Sequence, residues 1–181
     1  HARQYSWEAY AEDIEALVQR IAGNGPYFLA GHCTGGYVGM LVAARGIRPP
    51  SAVAVFDLFE PSAKDLELLT SLAAPSRRTY RTHAELQRAM SGYPGGRGMS
   101  PDQRTILREE IFRRRPDGRW VVTPDPRVVM HGPWRTADLA SRVQCPILFI
   151  RGGESRKVSR IDLLLTAMQF PHGRVDEVPG T

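Results

Sequence analysis

Six residues, Gly31-His32-Cys33-Thr34-Gly35-Gly36, stand between a short apolar run and a run of small residues, and they carry the clearest chemistry of the chain. Lifting a nucleophile clear of a sheet takes a very sharp strand-to-helix turn. Such a turn strains the nucleophile's own backbone and leaves room only for small residues two positions to either side. Cys33 occupies the nucleophile position, with Gly31 and Gly35 as its small neighbours. A helix starting just after Cys33 turns its positive end towards the sulfur and favours the attacking thiolate. The backbone N–H of Thr34, first in that helix, then supplies one of two oxyanion donors. A cysteine in this role suits acyl transfer from esters or thioesters, because a thiolate is a good nucleophile that needs less help from a base. The chemistry calls for neither metal nor cofactor. The competing reading of Cys33 is a small buried residue in a protein without activity.

The surrounding pattern predicts the elements that would position this turn. Trp7, Tyr10, Ile14, Leu17, Val18 and Ile21 recur at spacings of three and four, so residues 7–21 read as an amphipathic helix with Ser6 as N-cap and Gly23-Asn24-Gly25-Pro26 as its stop. Tyr27-Phe28-Leu29-Ala30 then fits a buried strand, residues 34–45 a small-residue helix, and Ala52–Asp57 a second strand. Cys145–Ile150 gives a third strand, residues 160–170 a helix, and Arg174–Val178 a fourth strand. Alternating strands and helices predict an α/β fold, a parallel sheet flanked by helices and covered on both faces. Residues 62–134 break the rhythm as a helical, polar insertion, which divides the chain into core (1–61), insertion (62–134) and core (135–181).

Composition narrows the function classes. The 181 residues are 42% hydrophobic and 24% charged, ordinary for a globular protein. No apolar run approaches the roughly 18–20 residues of a membrane helix, so a cytoplasmic protein without membrane contact is expected. Two cysteines, Cys33 and Cys145, allow neither a disulfide scaffold nor a Cys-rich zinc site, and Cys145 reads as buried filler at a strand start. The net charge of +5 comes mainly from residues 62–134, with 13 basic and 8 acidic groups. Lys64 and Lys157 are the only lysines. Glu109, Glu110 and Asp117 flank Arg113-Arg114-Arg115, so that run reads as a solvated helix face rather than a nucleic-acid surface.

Gly31-His32-Cys33-Thr34-Gly35-Gly36, set between a strand and a helix, resembles the nucleophile elbow of the α/β-hydrolase fold superfamily, with its G-x-nucleophile-x-G pattern. The resemblance covers most of the chain outside 62–134. It implies Cys33 as nucleophile, Thr34 N–H as oxyanion donor, and Gly31, His32, Gly35 and Gly36 as support for the turn. Cysteine stands where most members have serine, as in dienelactone hydrolases and polyester synthases, although neither the middle segment nor the length fits those two. The resemblance leaves two acids. Asp57 follows the second strand, and Glu154 stands in Gly152-Gly153-Glu154-Ser155, where serine holds the usual acid position. Asp57 is the favoured one, and its competing reading is a structural cap.

The base implied by the resemblance would follow Val178-Pro179-Gly180, where the sequence stops, and the strands before the first helix are also missing. Together with an opening at His1, this makes the chain read as an internal fragment, poorly soluble alone because one flank of its first strand lacks a partner. His1, His32, His83, His131 and His172 do not replace that base. The insertion resembles the lids of many bacterial members. Leu66, Leu68, Leu69 and Leu72 form one apolar helix face in it, and Ile106, Leu107, Ile111 and Phe112 another. Trp120, Met130 and Trp134 are candidates for the acyl pocket, with core packing as the competing reading of each. The expected partner is a small or medium apolar ester-like molecule. A non-catalytic ligand-binding member of the fold is the alternative.

Overall fold

The computed structural model describes residues 5–62, 64–67, 79–91, 100–122 and 134–180. Helix α1 (Trp7–Ala22) starts where Ser6 Oγ accepts from Ala9 N at 3.2 Å and stops at Gly23, whose φ of 50° suits glycine. Strand β1 (Phe28–His32) runs straight into α2 (Thr34–Arg45). Every residue of α2 from Gly36 to Ala44 is buried, because small residues let this helix lie close on the sheet. A Cβ on Gly39 would stand 3.2 Å from Val53 Cγ1, and one on Gly36 would stand 2.6 Å from Val55 Cγ1. Helix α1 covers α2 in turn, through Ala11 and Trp7 and a 2.8 Å ion pair from Arg45 Nε to Glu15.

Strands β2 (Ala52–Phe56), β6 (Ile147–Gly152) and β7 (Gly173–Val178) complete a four-stranded parallel sheet in the order β1-β2-β6-β7, and helix α6 (Arg160–Ala167) connects the last two. The four strands and the helices α1, α2 and α6 fall within a few residues of their sequence-predicted spans. Between β2 and β6 in the chain lie β3 (Thr79–Tyr80), α3 (His83–Ser91), α4 (Pro101–Ile111), β4 (Phe112–Arg114), β5 (Trp120–Val122) and α5 (Ala137–Ala140).

The expected α/β fold with a parallel sheet flanked by helices is found, although the described helices α2 and α6 lie on one face rather than on both. In register, Val53 stands beside Ile147 and Ile147 beside Gly173. Val53 meets Gly39 of α2, while a Cβ on Gly173 would run into the Ala167 backbone of α6. Both helices therefore pack on the same face, and Val53, Val55, Ile147 and Phe149, all at most 1% exposed, form its core. The alternate residues Phe28 (73% exposed), Ala30, His32, Phe56 and Leu148 lie on the other face, which the described residues leave bare. Exposure alternates along β1 and at the start of β6, while their sequences do not alternate between apolar and polar. A run of apolar strand residues does not say whether a second layer is present.

Cys145 sits half-buried against the core, just before β6, at the end of the sheet opposite Cys33, and both thiols are free. Burial pushes the Cys145 thiol up from its ordinary value. A raised acid keeps its proton in the folded state and releases it on unfolding, so its contribution is complete below the unfolded value of about 8.5 and is lost as pH rises beyond it. Stability from urea titrations is expected to fall as pH rises past about 8.5, and to fall less in Cys145→Ala. Equal slopes in the two proteins would remove Cys145 as the cause.

The chain divides into two units, residues 1–67 with 131–181, and residues 68–130. In the second unit a small antiparallel sheet, β3 (Thr79–Tyr80), β5 (Trp120–Val122) and β4 (Phe112–Arg114), accompanies α3 (His83–Ser91) and α4 (Pro101–Ile111). Ser100 and Gln103 form a capping box at the start of α4. Arg113 and Arg114 thus belong to a strand and not to the expected helix face. The turn Pro116-Asp117-Gly118, with Gly118 at φ 81°, folds β4 back on β5, and the pairing of Phe112 with Val122 overrides helical propensity. Trp120 packs with Leu86, Phe112 and Tyr80 in this unit's own core. Leu68, Leu69, Leu72, Met130 and His131 lie outside the described residues.

No described helix is long and apolar enough to cross a membrane. No group of three or more His, Cys, Asp or Glu side chains among the described residues could hold a metal ion.

Candidate active site

Cys33 joins β1 to α2 with φ 49° and ψ −116°, a backbone conformation that costs an L-residue of order 1–3 kcal/mol. Two hydrogen bonds hold it there. Cys33 N donates to Phe56 O at 2.8 Å, and Tyr37 N donates to Cys33 O at 3.1 Å. Thr34 is the first residue of α2, so its N–H belongs to the four unpaired donors at the start of a helix.

The steric demand of the turn falls on Gly31 and Gly36, not on Gly31 and Gly35. A Cβ on Gly31 would stand 2.5 Å from Gly36 N, and closer still to the carbonyl of Gly35. A Cβ on Gly36 would lie between Val55 Cγ1 and Gly31 O. One on Gly35 would meet nothing within 4 Å, because the turn brings the Gly35 backbone over Gly31 and leaves the Gly35 α-carbon facing open space. Spacing in the sequence shows that glycines flank the turn, but not which of them the neighbouring strand presses on.

Asp57 ends the adjacent strand β2, also with positive φ (44°). Its N–H donates to Ile150 O at 2.8 Å, and its Oδ1 accepts from Gly152 N at 3.0 Å. Gly153 N donates onward to Val178 O at 2.8 Å, so hydrogen bonds run along the C-terminal edge of the sheet from Cys33 to the end of β7. Glu154 is exposed in the turn after β6. His32 lies exposed on the bare face of the sheet, and His172 stands at the opposite end, where its carbonyl accepts from Ile147 N. His83 heads α3 in the second unit.

Two contacts near this edge were invisible in the sequence. The guanidinium of Arg151, at the end of β6, is 11% exposed and donates from three nitrogens: Nη1 to Glu177 Oε2 (2.5 Å), Nε to Val158 O (3.1 Å) and Nη2 to Ser155 O (3.2 Å). Glu60 accepts from both Thr136 N (2.6 Å) and the Thr136 hydroxyl, and Thr136 is fully buried. Trp134, read from the sequence as an acyl-pocket or a core residue, packs in the core behind α2, edge-on against Trp7 (5.1 Å) and beside Tyr37 (5.9 Å). Arginine is so abundant here that no local signal singles out Arg151, and Glu60 and Thr136 meet only in the fold. A groove of about 500 Å³ opens at the same edge, with Leu58, Phe59, Val158 and Leu163 as apolar wall and Arg156 and Lys157 at its rim.

A model of the alpha/beta hydrolase family matches residues 1–181. Among solved structures, an E-2-(acetamidomethylene)succinate hydrolase is similar at 22% identity and TM-score 0.76, over 98% of this chain and 66% of that one. An esterase of M. tuberculosis is similar at 18% identity and TM-score 0.77, over 98% and 62%. The thioesterase domain of a curacin biosynthetic pathway is similar at 17% identity and TM-score 0.77, over 99% and 68%. The chain thus spans somewhat under two thirds of the length of the first two. A comparison with curated proteins finds no match. With a family match over its whole length and the parallel sheet, turn and helices of that fold, the chain belongs to the alpha/beta hydrolase family.

Proposed function

We propose that the chain carries the nucleophile of a hydrolase that cleaves carboxylic esters or thioesters through Cys33. The observation that carries this reading is the left-handed backbone of Cys33 at a strand-to-helix turn, held on both sides by hydrogen bonds. Strain of this kind persists where the surroundings enforce it, and it concentrates at reacting groups. In this reading Cys33 attacks the acyl carbon and Thr34 N–H holds the oxyanion. Asp57 orients a histidine base. Asp57 is preferred to Glu154 because it is half-buried just after the strand next to Cys33 and its carboxylate accepts from Gly152 N, whereas Glu154 is exposed. The substrate proposed for it is a small or medium apolar ester, with residues 62–134 proposed as a lid domain.

Covalent capture tests the reading. The whole protein, mixed with p-nitrophenyl acetate and quenched in acid, is expected to carry an added acetyl mass on the peptide that contains Cys33. Acetylation elsewhere, or none with hydrolysis proceeding, overturns it. The second reading, a non-catalytic ligand-binding member, draws on the bond from Gly152 N to Asp57, which is also what a structural cap would make. Under that reading the protein turns over no ester.

A further inference from the structure

We infer that Arg151 is a positioning residue for the reaction proposed above: it fixes the turn after β6 so that Gly152 N–H holds the Asp57 carboxylate beside Cys33. The inference rests on that hydrolase reading for its kinetic part and on geometry alone for the rest. Gly152 closes β6, and its N–H is the polar group bonded to Asp57 Oδ1. What keeps Gly152 in place is the residue before it. Arg151 lies on the helix-covered face, where alternation puts it in line with Ile147 and Phe149, and a buried guanidinium must find acceptors for its donors.

It finds them in three separate places. Ser155 O and Val158 O belong to the turn that leaves β6, and Glu177 belongs to β7, in register with Arg151 itself. One planar fork therefore ties the beginning of the turn, its far end and the neighbouring strand. Two backbone bonds, Gly153 N to Val178 O and Ser155 N to Gly152 O, close the same loop, but both start from exposed or half-exposed backbone at the sheet edge. Lysine could keep the charge pair with Glu177 but could not reach three acceptors from one plane.

Asp57 depends on this support because its side chain has a single bond, to Gly152 N, among the described residues. If Gly152 moves, the carboxylate loses the contact that sets its direction relative to Cys33. Misplacement of an orienting group by about 1 Å costs up to 10²-fold in rate.

Two measurements on the whole protein decide the matter. In amide exchange, Arg151→Met is expected to speed Gly152 and Gly153 by about tenfold or more, while Val55 and Phe149 in the central strands keep their protection. In hydrolysis of p-nitrophenyl acetate, kcat is expected to fall about tenfold with KM nearly unchanged, because positioning acts after binding. Arg151→Lys should lie between the two in both measurements, and it supplies the reading if the methionine variant does not fold. Unchanged exchange at Gly152 and Gly153 overturns the inference, as does local loosening with kcat intact. If the unsubstituted protein hydrolyses no ester, the hydrolase reading fails instead, and the exchange result alone decides whether Arg151 holds the edge.

Discussion

Cys33→Ala is expected to lower ester hydrolysis by the whole protein about 10³-fold or more, a loss of roughly 4 kcal/mol of transition-state stabilisation. Alanine keeps the turn, since the backbone strain at position 33 is no worse for a smaller side chain, and it removes only the sulfur. What survives is the polarisation supplied by the Thr34 N–H and by binding, which in related chemistry leaves appreciable residual catalysis. The effect should therefore appear in kcat, with KM nearly constant and the unfolding transition unmoved. Cys33→Ser makes the comparison sharper, because a hydroxyl at the same place depends on a base far more than a thiol does. A rate in Cys33→Ala within about threefold of the unsubstituted protein would remove Cys33 from the reaction.

Gly31→Ala is expected to be the most destabilising small substitution at this edge, by about 3 kcal/mol. Its Cβ would fall against main-chain atoms of Gly35 and Gly36, which cannot rotate aside as a side chain would. Relief requires α2 to shift away from β1, and α2 is buried from Gly36 to Ala44 and pressed onto Val53 and Val55. For a chain of this size the corresponding fall in Tm is about 6–12 °C. Gly35→Ala is the control. Its Cβ enters open space near the start of a helix, where alanine is favoured over glycine by roughly 0.5–1 kcal/mol, so Tm should hold or rise. Equal losses in the two variants would show that the turn tolerates no side chain on either flank, against the geometry.

The contrast between these glycines shows what the sequence could and could not reveal. Local chemistry was legible: Ser6 as cap, Gly23 as stop, and a strand, a sharp turn and a helix around Cys33 all follow from residue types within a few positions. Relations across the chain were not. That Gly36 rather than Gly35 faces Val55 depends on the rotation of α2 against β2. That Arg113 and Arg114 lie in a strand depends on a hairpin partner, Trp120–Val122, that only the turn at Pro116-Asp117-Gly118 hinted at. Asp57 as an edge residue could be read from its place after an apolar run, but its hold on Gly152, 95 residues away, could not.

Phe28, Phe56 and Leu148 make dilution a reagent in its own right. A sheet face with these side chains open to water lowers its free energy when any apolar surface covers it, including the same face of another copy. Residues 1–181 handled alone are therefore expected to associate as concentration rises, and sedimentation at several concentrations checks this. Rates compared between variants carry meaning only at matched concentration, and a substitution such as Phe28→Lys could alter them without touching the chemistry at Cys33.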